Sequence, residues 1–489
     1  MKLRVSLLLM CAAPAMLHAA ALDVTLSAPG TLAAAVEEPA GVTSLAVSGS
    51  VDAADFQFIA SEMPALTALD LSRATVAAYS GPAINGLRSY PADVLPSMIL
   101  AGTGIESIAF PEGLTAIGDG ALAGTRLRQV DVPAGVTATG EGAFAGCEAL
   151  ERASVAAGTL APGAFAGCPA LRRVAIPAGL AIPARCFAGD SLLEAVDGFD
   201  TAVAVGDRAF TSCASLEALP FGSKLCSIGA GAFSGSALRE ADLSGCAALS
   251  AVGEGAFSGC PSLERLEIPE GCEAAMALAM NTPALRIAVL MAADVPAFAF
   301  TGDSLVDIST AVAMATVVGD YAFKGVTRAG AVVLPASLEY LGTGAMEGVT
   351  GLESIDASLL EAVPELGKYV WAGVDQPSVV LYAARDVADA FAAAPQWRDF
   401  DVQMKSLDGI ADASASDTPG LRAAFNGTVL LVDCGGDFAG SVTVTDVAGR
   451  ILAILHPDSE GRAMLDTARW TNDIYLLGAS SGQSIKIAR

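Results

Sequence analysis

Apolar and polar positions along this chain alternate in short runs that recur at a nearly fixed interval. Val130 and Val132 point to one side and Gln129 and Asp131 to the other, the period-two pattern of a strand. Ile105, Ile108 and Phe110 repeat that alternation before Pro111, which cannot donate to a ladder and ends the run, and Gly113 permits the turn. A second signal follows each run. Gly142-Ala143-Phe144-Ala145-Gly146-Cys147-Glu148-Ala149-Leu150 returns in near-copy from Gly163 to Leu171 and again from Gly255 to Leu263. Aligned on the large apolar residue ahead of the Leu, a column runs Leu100, Leu122, Phe144, Phe165, Phe187, Phe210, Phe233, Phe257, Met280, Phe300, Phe323 and Met346, with Trp371 a looser last member. The spacing stays at about 20–25 residues, the length of one unit that cannot bury its own apolar face and must stack on neighbours. The pattern predicts a solenoid of parallel strands about 4.8 Å apart, with the Phe column as a ladder of rings inside.

The ends depart from the repeat. Residues 1–21 read as a secretory signal, with Lys2 and Arg4, an apolar run over 5–10, and Ala19-Ala20-Ala21 for cleavage. Met10 stands before Cys11, where a lipoprotein signal needs a small residue. Residues 22–65 suit an N-terminal cap, in which 52–63 predict a short helix with Phe56, Ile59, Ala60 and Met63 on one face. Residues 74–96, rich in Tyr, Gly and Pro, read as an extended loop. The solenoid spans 66–403 and closes on a last strand near 379–382, a short helix near 386–394, and Trp397 and Phe400 over the open end. Residues 404–420 have linker composition. Over 421–489 the repeat is lost, and short strands near 428–432, 441–445, 450–455, 462–465, 473–477 and 484–487 have the spacing of a small β-sandwich. The segment 312–318 is apolar but too short to span a bilayer, and no transmembrane segment is expected.

The repeat resembles the BspA-like leucine-rich repeat of bacterial surface proteins, over residues 66–401. Residues 274–280 lack the Gly-Ala-Phe core, and Asp303 and Val326 stand in the Cys position. The C-terminal segment resembles a type IX secretion sorting domain (type A), through Val444-Thr-Asp-Val-Ala-Gly-Arg-Ile451, Asn472-Asp-Ile-Tyr475 and Gln483-Ser-Ile-Lys-Ile-Ala-Arg489. That family usually has Gly where Asp473 stands. The two resemblances imply a mainly β chain with short irregular or helical returns: a leucine-rich-repeat solenoid followed by a β-sandwich. They also imply export, release or attachment at the outer-membrane surface, and the type IX secretion machinery as a partner of the tail.

Charge and composition narrow the chemistry. A formal net charge of −26 opposes a nucleic-acid partner, which would need a basic stripe. Only two His occur, His18 in the signal and His456 in the tail, so no Ser-His or Cys-His nucleophile pair can form inside the solenoid. No phosphate loop, zinc-protease motif or Cys-x-x-Cys spacing is present, and no metal or cofactor is expected. Cys147, Cys168, Cys213 and Cys260 share one repeat position. A disulfide framework or metal site competes there with a small buried residue filling a turn, and the replacements Thr125, Asp190 and Ser236 favour the turn.

What varies is the outward face of the strands. Positions two and four after each repeat Leu give Gln129/Asp131, Arg152/Ser154, Arg173/Ala175, Ala195/Asp197, Glu240/Asp242, Arg265/Glu267, Ile287/Val289, Asp307/Ser309 and Ser354/Asp356. Of these, Gln129, Asp131, Arg152, Arg173, Glu240, Asp242, Arg265 and Glu267 are the candidate binding residues, with Arg152 and Arg173 adjacent. An ordinary solvated face would look the same. The expectation is a non-catalytic protein that binds an extracellular protein or glycan; a carboxylate-dependent hydrolase and a structural spacer are the alternatives.

Overall fold

The computed structural model describes residues 20–404 and, beyond them, 422–426, 429–434, 442–446, 451–455, 462–467, 474–479 and 484–488. Residues 1–19 of the expected signal, the linker over 405–420, and His456 lie outside the described residues. The chain falls into two compact units, Met1–Met404 and Lys405–Arg489.

The first unit is a three-sided solenoid. One side stacks the longer strands, such as Gln129–Val132, Arg152–Val155, Arg173–Ala175 and Ala195–Asp197, all parallel. A second side stacks two-residue strands such as Ala138–Thr139 between Ala116–Ile117 and Thr159–Leu160. The third side has no strands, yet its turns bond coil to coil: Phe144 N donates to Ala164 O at 2.8 Å and Phe187 N to Ala209 O at 2.9 Å. Each coil thus satisfies its backbone on its neighbours, as buried polar groups require.

The interior is the predicted ladder. Phe144, Phe165, Phe187, Phe210, Phe233 and Phe257 are fully buried, with successive rings stacked at 5.1–5.8 Å. One member differs from expectation. Phe257 N donates to Leu278 O and Ala279 N to Ala299 O, the bonding that identifies Ala279, not Met280, as the ladder position. Leu278 beside it is fully buried and supplies the volume the ring would have filled, while Met280 is only half-buried. The ring stack resumes at Phe300–Phe323, 5.5 Å apart.

The Cys column works through its thiols. Cys168 Sγ donates to Phe144 O at 3.2 Å, Cys213 Sγ to Phe187 O at 3.2 Å, and Cys260 Sγ to Phe233 O at 3.1 Å, each reaching the ladder residue of the preceding coil. Every described cysteine is a free thiol. Burial, with Asp190 nearby, pushes Cys186 and Cys213 well above the ordinary thiol range, which makes them inert. Asp190 and Asp303 take the same position fully buried, accepting from Cys168 N at 2.7 Å and from Thr282 N at 2.5 Å. Burial raises each carboxyl to about 8, and the second oxygen of each has no partner.

The N-terminal region opens with strand Ala20–Leu26 paired to Val42–Val51, which pairs to Ala68–Val76. Helix Ala53–Glu62 begins on a capping box: the Asp52 carboxylate accepts from Ala54 N and Asp55 N, and Asp55 accepts from Asp52 N. Phe56, Ile59 and Met63 are buried, and Ala60 is half-buried against them. Residues 74–96 correct the loop expectation. Tyr79–Ile84 and Leu87–Tyr90 form an antiparallel hairpin turning at Asn85-Gly86, both left-handed at φ 47° and 84°, the geometry this dipeptide favours.

At the far end strand Asp401–Met404 pairs with Val380–Ala383, and helix Ala388–Ala393 leads into the aromatic cover. Trp397 and Phe400 pack on Trp371 at 5.2 and 5.0 Å. Trp397 Nε1 donates to Pro364 O. The Gln396 amide accepts from Val370 N and donates to Gly367 O, completing a turn that has no following coil. Among the described residues the second unit holds two antiparallel sheets, of three and four strands, with Leu430, Val432, Val442, Val444, Leu455 and Leu477 buried together.

Candidate binding surface

The candidate residues divide between two sheets. Gln129, Arg152 and Arg173 stand opposite one another on neighbouring strands, and Asp131, Ser154 and Ala175 form the next row. Glu240 and Asp242 pair with Arg265 and Glu267 on a separate three-stranded sheet that ends at Ile287–Leu290. On this side the coil between the sheets has no strand. It carries Leu219-Pro220, and Pro lacks the N–H a ladder needs. The preceding coil swings into a short turn at Phe199–Thr201, whose Phe199 ring meets Phe210 and Phe221 edge-on. The candidate residues therefore fall in two patches.

In the first patch Gln129, Asp131, Arg152 and Arg173 are all exposed. Arg173 donates through Nη1 to both oxygens of Asp197, at 3.0 and 3.1 Å. Asp131 accepts from Ser154 Oγ at 2.5 Å and is not bridged to either arginine. Arg152 has no ion pair or side-chain hydrogen bond among the described residues. Its charge faces water.

The second patch is closed on itself. Arg265 is bonded to Glu267 and lies 3.6 Å from Glu240 Oε1. The Arg265 and Glu267 side chains are each only 14% exposed. Asp242 accepts from Ser244 N and Oγ. Ile287 and Val289, opposite Arg265 and Glu267, are half-buried. The expected face positions Asp307 and Ser309 are not on a strand. Val306 takes the repeat Leu place, fully buried, and Asp307 caps the short helix Ile308–Ala311 by accepting from Ser309 N.

A column that sequence reasoning passed over borders the first patch. The residue directly after each repeat Leu alternates in sign in two runs, Glu106, Arg128, Glu151, Arg172, Glu194 and then Glu217, Arg239, Glu264, Arg286, with two acidic residues where the runs meet. Arg128 bridges Glu106 at 3.2 Å, Arg172 bridges Glu194 at 2.6 Å, and Arg239 bridges Glu217 at 3.0 Å. Each is exposed and weak alone. The alternation is present in the sequence, one position before the outward pair of each strand.

Among the described residues no cluster of three His, Cys, Asp or Glu side chains could hold a metal, and no helix is long and apolar enough to cross a membrane.

The BspA type Leucine rich repeat region family matches residues 94–194, 180–286 and 293–379, more than half of the chain. No curated protein matches it. Among solved structures, a leucine-rich repeat protein from Bacteroides ovatus is 20% identical with a TM-score of 0.50, covering 76% of this chain and 86% of that one. A leucine rich cell surface protein from Faecalibacterium prausnitzii is 17% identical with a TM-score of 0.30, covering 60% and 87%. A leucine-rich repeat protein from Eubacterium ventriosum is 14% identical with a TM-score of 0.31, covering 68% and 83%.

Proposed function

The chain belongs to the BspA-type leucine-rich repeat family, and from that premise we propose that it is a non-catalytic, exported surface protein whose solenoid binds an extracellular protein or glycan. The observation that carries this reading is the first patch: an interior repeated coil after coil supports an outward face on which Arg152, beside Arg173, has no partner among the described residues. Guanidiniums so placed suit forked contacts to carboxylate or sulfate groups. Solenoids present such extended faces to partners. Binding of the full chain to a panel of extracellular proteins and glycans tests the reading. A partner lost on Arg152→Glu with Arg173→Glu supports it, and a panel without any binder opposes it.

The tail carries a separate part of the proposal. Residues 421–489 act as a type IX sorting domain, residues 1–21 as the signal for the first membrane, and residues 404–420 as the linker between solenoid and tail. The antiparallel sheet built from Val442–Asp446, Ile451–Leu455, Ile474–Ala479 and Ser484–Ala488 supports this reading, because these strands contain most of the resembling segments. Deleting residues 444–489 should leave the protein in the periplasm of the producing cell. Truncated protein found outside the cell would remove the sorting role.

A further inference from the structure

The third side of the solenoid repeats a backbone feature whose side chains the fold does not need. In every coil from Met98 to Tyr369, the residue two before the ladder position is left-handed, with φ between 54° and 64°. Glycine adopts this conformation freely and occupies it at Gly142, Gly163, Gly231 and Gly255, among others. Elsewhere the place is held by residues that are strained there. Two such departures are consecutive and basic: Arg185 at φ 58° and Arg208 at φ 54°. Their coils are hydrogen-bonded neighbours, Arg185 N donating to Asp207 O at 2.9 Å. Both side chains are exposed, and neither has an ion pair or side-chain hydrogen bond among the described residues. The adjacent Asp207 already uses Oδ1 to accept from Ala230 N. Side chains kept on strained backbone, with no partner inside the protein, mark a place where function outweighs local stability.

A second departure on the same edge defines what kind of molecule fits. Phe298 at φ 57° and Tyr321 at φ 55° are again consecutive, their rings stacked at 5.3 Å, with Phe298 36% exposed. Lys324 Nζ lies 5.1 Å from the Tyr321 ring centroid and bridges Glu347 at 2.9 Å. Between the two doublets the same column holds Gly231, Gly255 and Ala277, so no bulky side chain interrupts it. At about 4.8 Å a coil, the basic and aromatic doublets stand roughly 19 Å apart.

We propose that this edge, separate from the sheet face, binds a sulfated glycan chain, with Arg185 and Arg208 holding a sulfate and Phe298 and Tyr321 stacking a sugar ring further along. Two guanidiniums one coil apart match the fork geometry of an oxyanion. The apolar C–H face of a pyranose matches an exposed ring flanked by an ammonium and a carboxylate that can meet its hydroxyls. The chain is acidic overall, but at physiological ionic strength charges beyond about 8 Å are largely screened, which leaves the local pair in control.

The test uses the full chain with heparin-derived oligosaccharides, native and desulfated, by calorimetry in physiological salt. Arg185→Gly with Arg208→Gly puts the unstrained residue at both positions, so the melt should be no lower than wild type while native oligosaccharide binds at least tenfold more weakly. Phe298→Gly with Tyr321→Gly should weaken long chains and leave a disaccharide unaffected, because only a long chain spans both doublets. Arg152→Ala with Arg173→Ala, on the sheet face, should bind the oligosaccharide as wild type does. Three outcomes would overturn the proposal: equal affinity for native and desulfated chains, unchanged affinity after the double glycine substitution, or loss of binding from the sheet-face variant alone. The first two leave a partner bound by the sheet face untouched, and the third would move the oligosaccharide to that face, so this proposal can fail without that one.

Discussion

The two charged patches on the outward face carry the same residue types and use them differently. Around Arg265 the charges are consumed within the sheet: Glu267 and Glu240 hold the guanidinium, and both members of the tighter pair are mostly covered. Around Arg152 they are not: Arg173 has Asp197, Asp131 has Ser154, and Arg152 has no ion pair or side-chain hydrogen bond among the described residues. A charge that the fold has already neutralised offers little to a ligand, whereas an exposed one costs the fold little to keep. Charge on a solenoid face is therefore a poor guide to binding until its partners are known. The difference separates stability from recognition, and substitutions should separate them as well.

The largest effect belongs to the frame beneath both patches. Phe210 stacks on Phe187 and Phe233 at 5.3 and 5.5 Å and meets Phe199 edge-on, in the region between the two sheets. Phe210→Ala should cost about 3–5 kcal/mol, because hydrogen-bonded coils above and below cannot close into the gap. Circular dichroism melts would show it, and an unchanged midpoint would mean the ladder does not hold the patches together. Next comes Arg265→Ala, which leaves two carboxylates facing each other, one of them largely covered. A loss of about 1–3 kcal/mol is expected in the same measurement; the same substitution at Arg152 should move the midpoint hardly at all.

A pH series sharpens the comparison further, because Asp190 lies in the coil that carries Asp197 of the first patch. Its carboxyl is held at about 8 in the fold against 3.8 ordinarily, chiefly by burial. Between those values the folded chain binds the extra proton, so the contribution of Asp190 to stability is full below pH 4 and declines as pH rises toward 8. Asp190→Asn keeps an acceptor for Cys168 N, and should flatten that decline and raise stability by about 1–3 kcal/mol near pH 8. A variant with the same pH slope as wild type would mean the proton is lost elsewhere. Asp303, beyond the second patch, should behave alike.

Much of this was legible in the sequence, because a solenoid repeats its physical demands. Alternation placed Val130 and Val132 inside and Gln129 and Asp131 outside, and the structure agrees. The errors came where one residue does its neighbour's work. Leu278 carries the volume of the missing ring, so the larger Met280 attracted an alignment that the coil-to-coil bonds assign to Ala279. Val306, not Leu305, fills the repeat Leu place, which moves Asp307 from a strand face to a helix cap. The hairpin at Asn85-Gly86 had a readable turn signal inside a stretch dismissed for its Tyr, Gly and Pro content. Two features could not be read from the sequence. The Gln396 amide completes the last turn across a gap of 26 residues, and the cover over Arg265 depends on how far side chains on adjacent strands reach.

One paired measurement separates the two patches most directly: melting temperature and ligand affinity for Arg152→Glu with Arg173→Glu, beside Arg265→Ala with Glu267→Ala, using whichever partner the wild-type chain captures from the panel. The first variant should lose the partner and keep its melt, and the second should lower the melt and keep the partner. The reverse assignment, or binding that survives the Arg152 and Arg173 reversal at low salt where electrostatics are strongest, would contradict the claim that the open patch, and not the closed one, is the binding face.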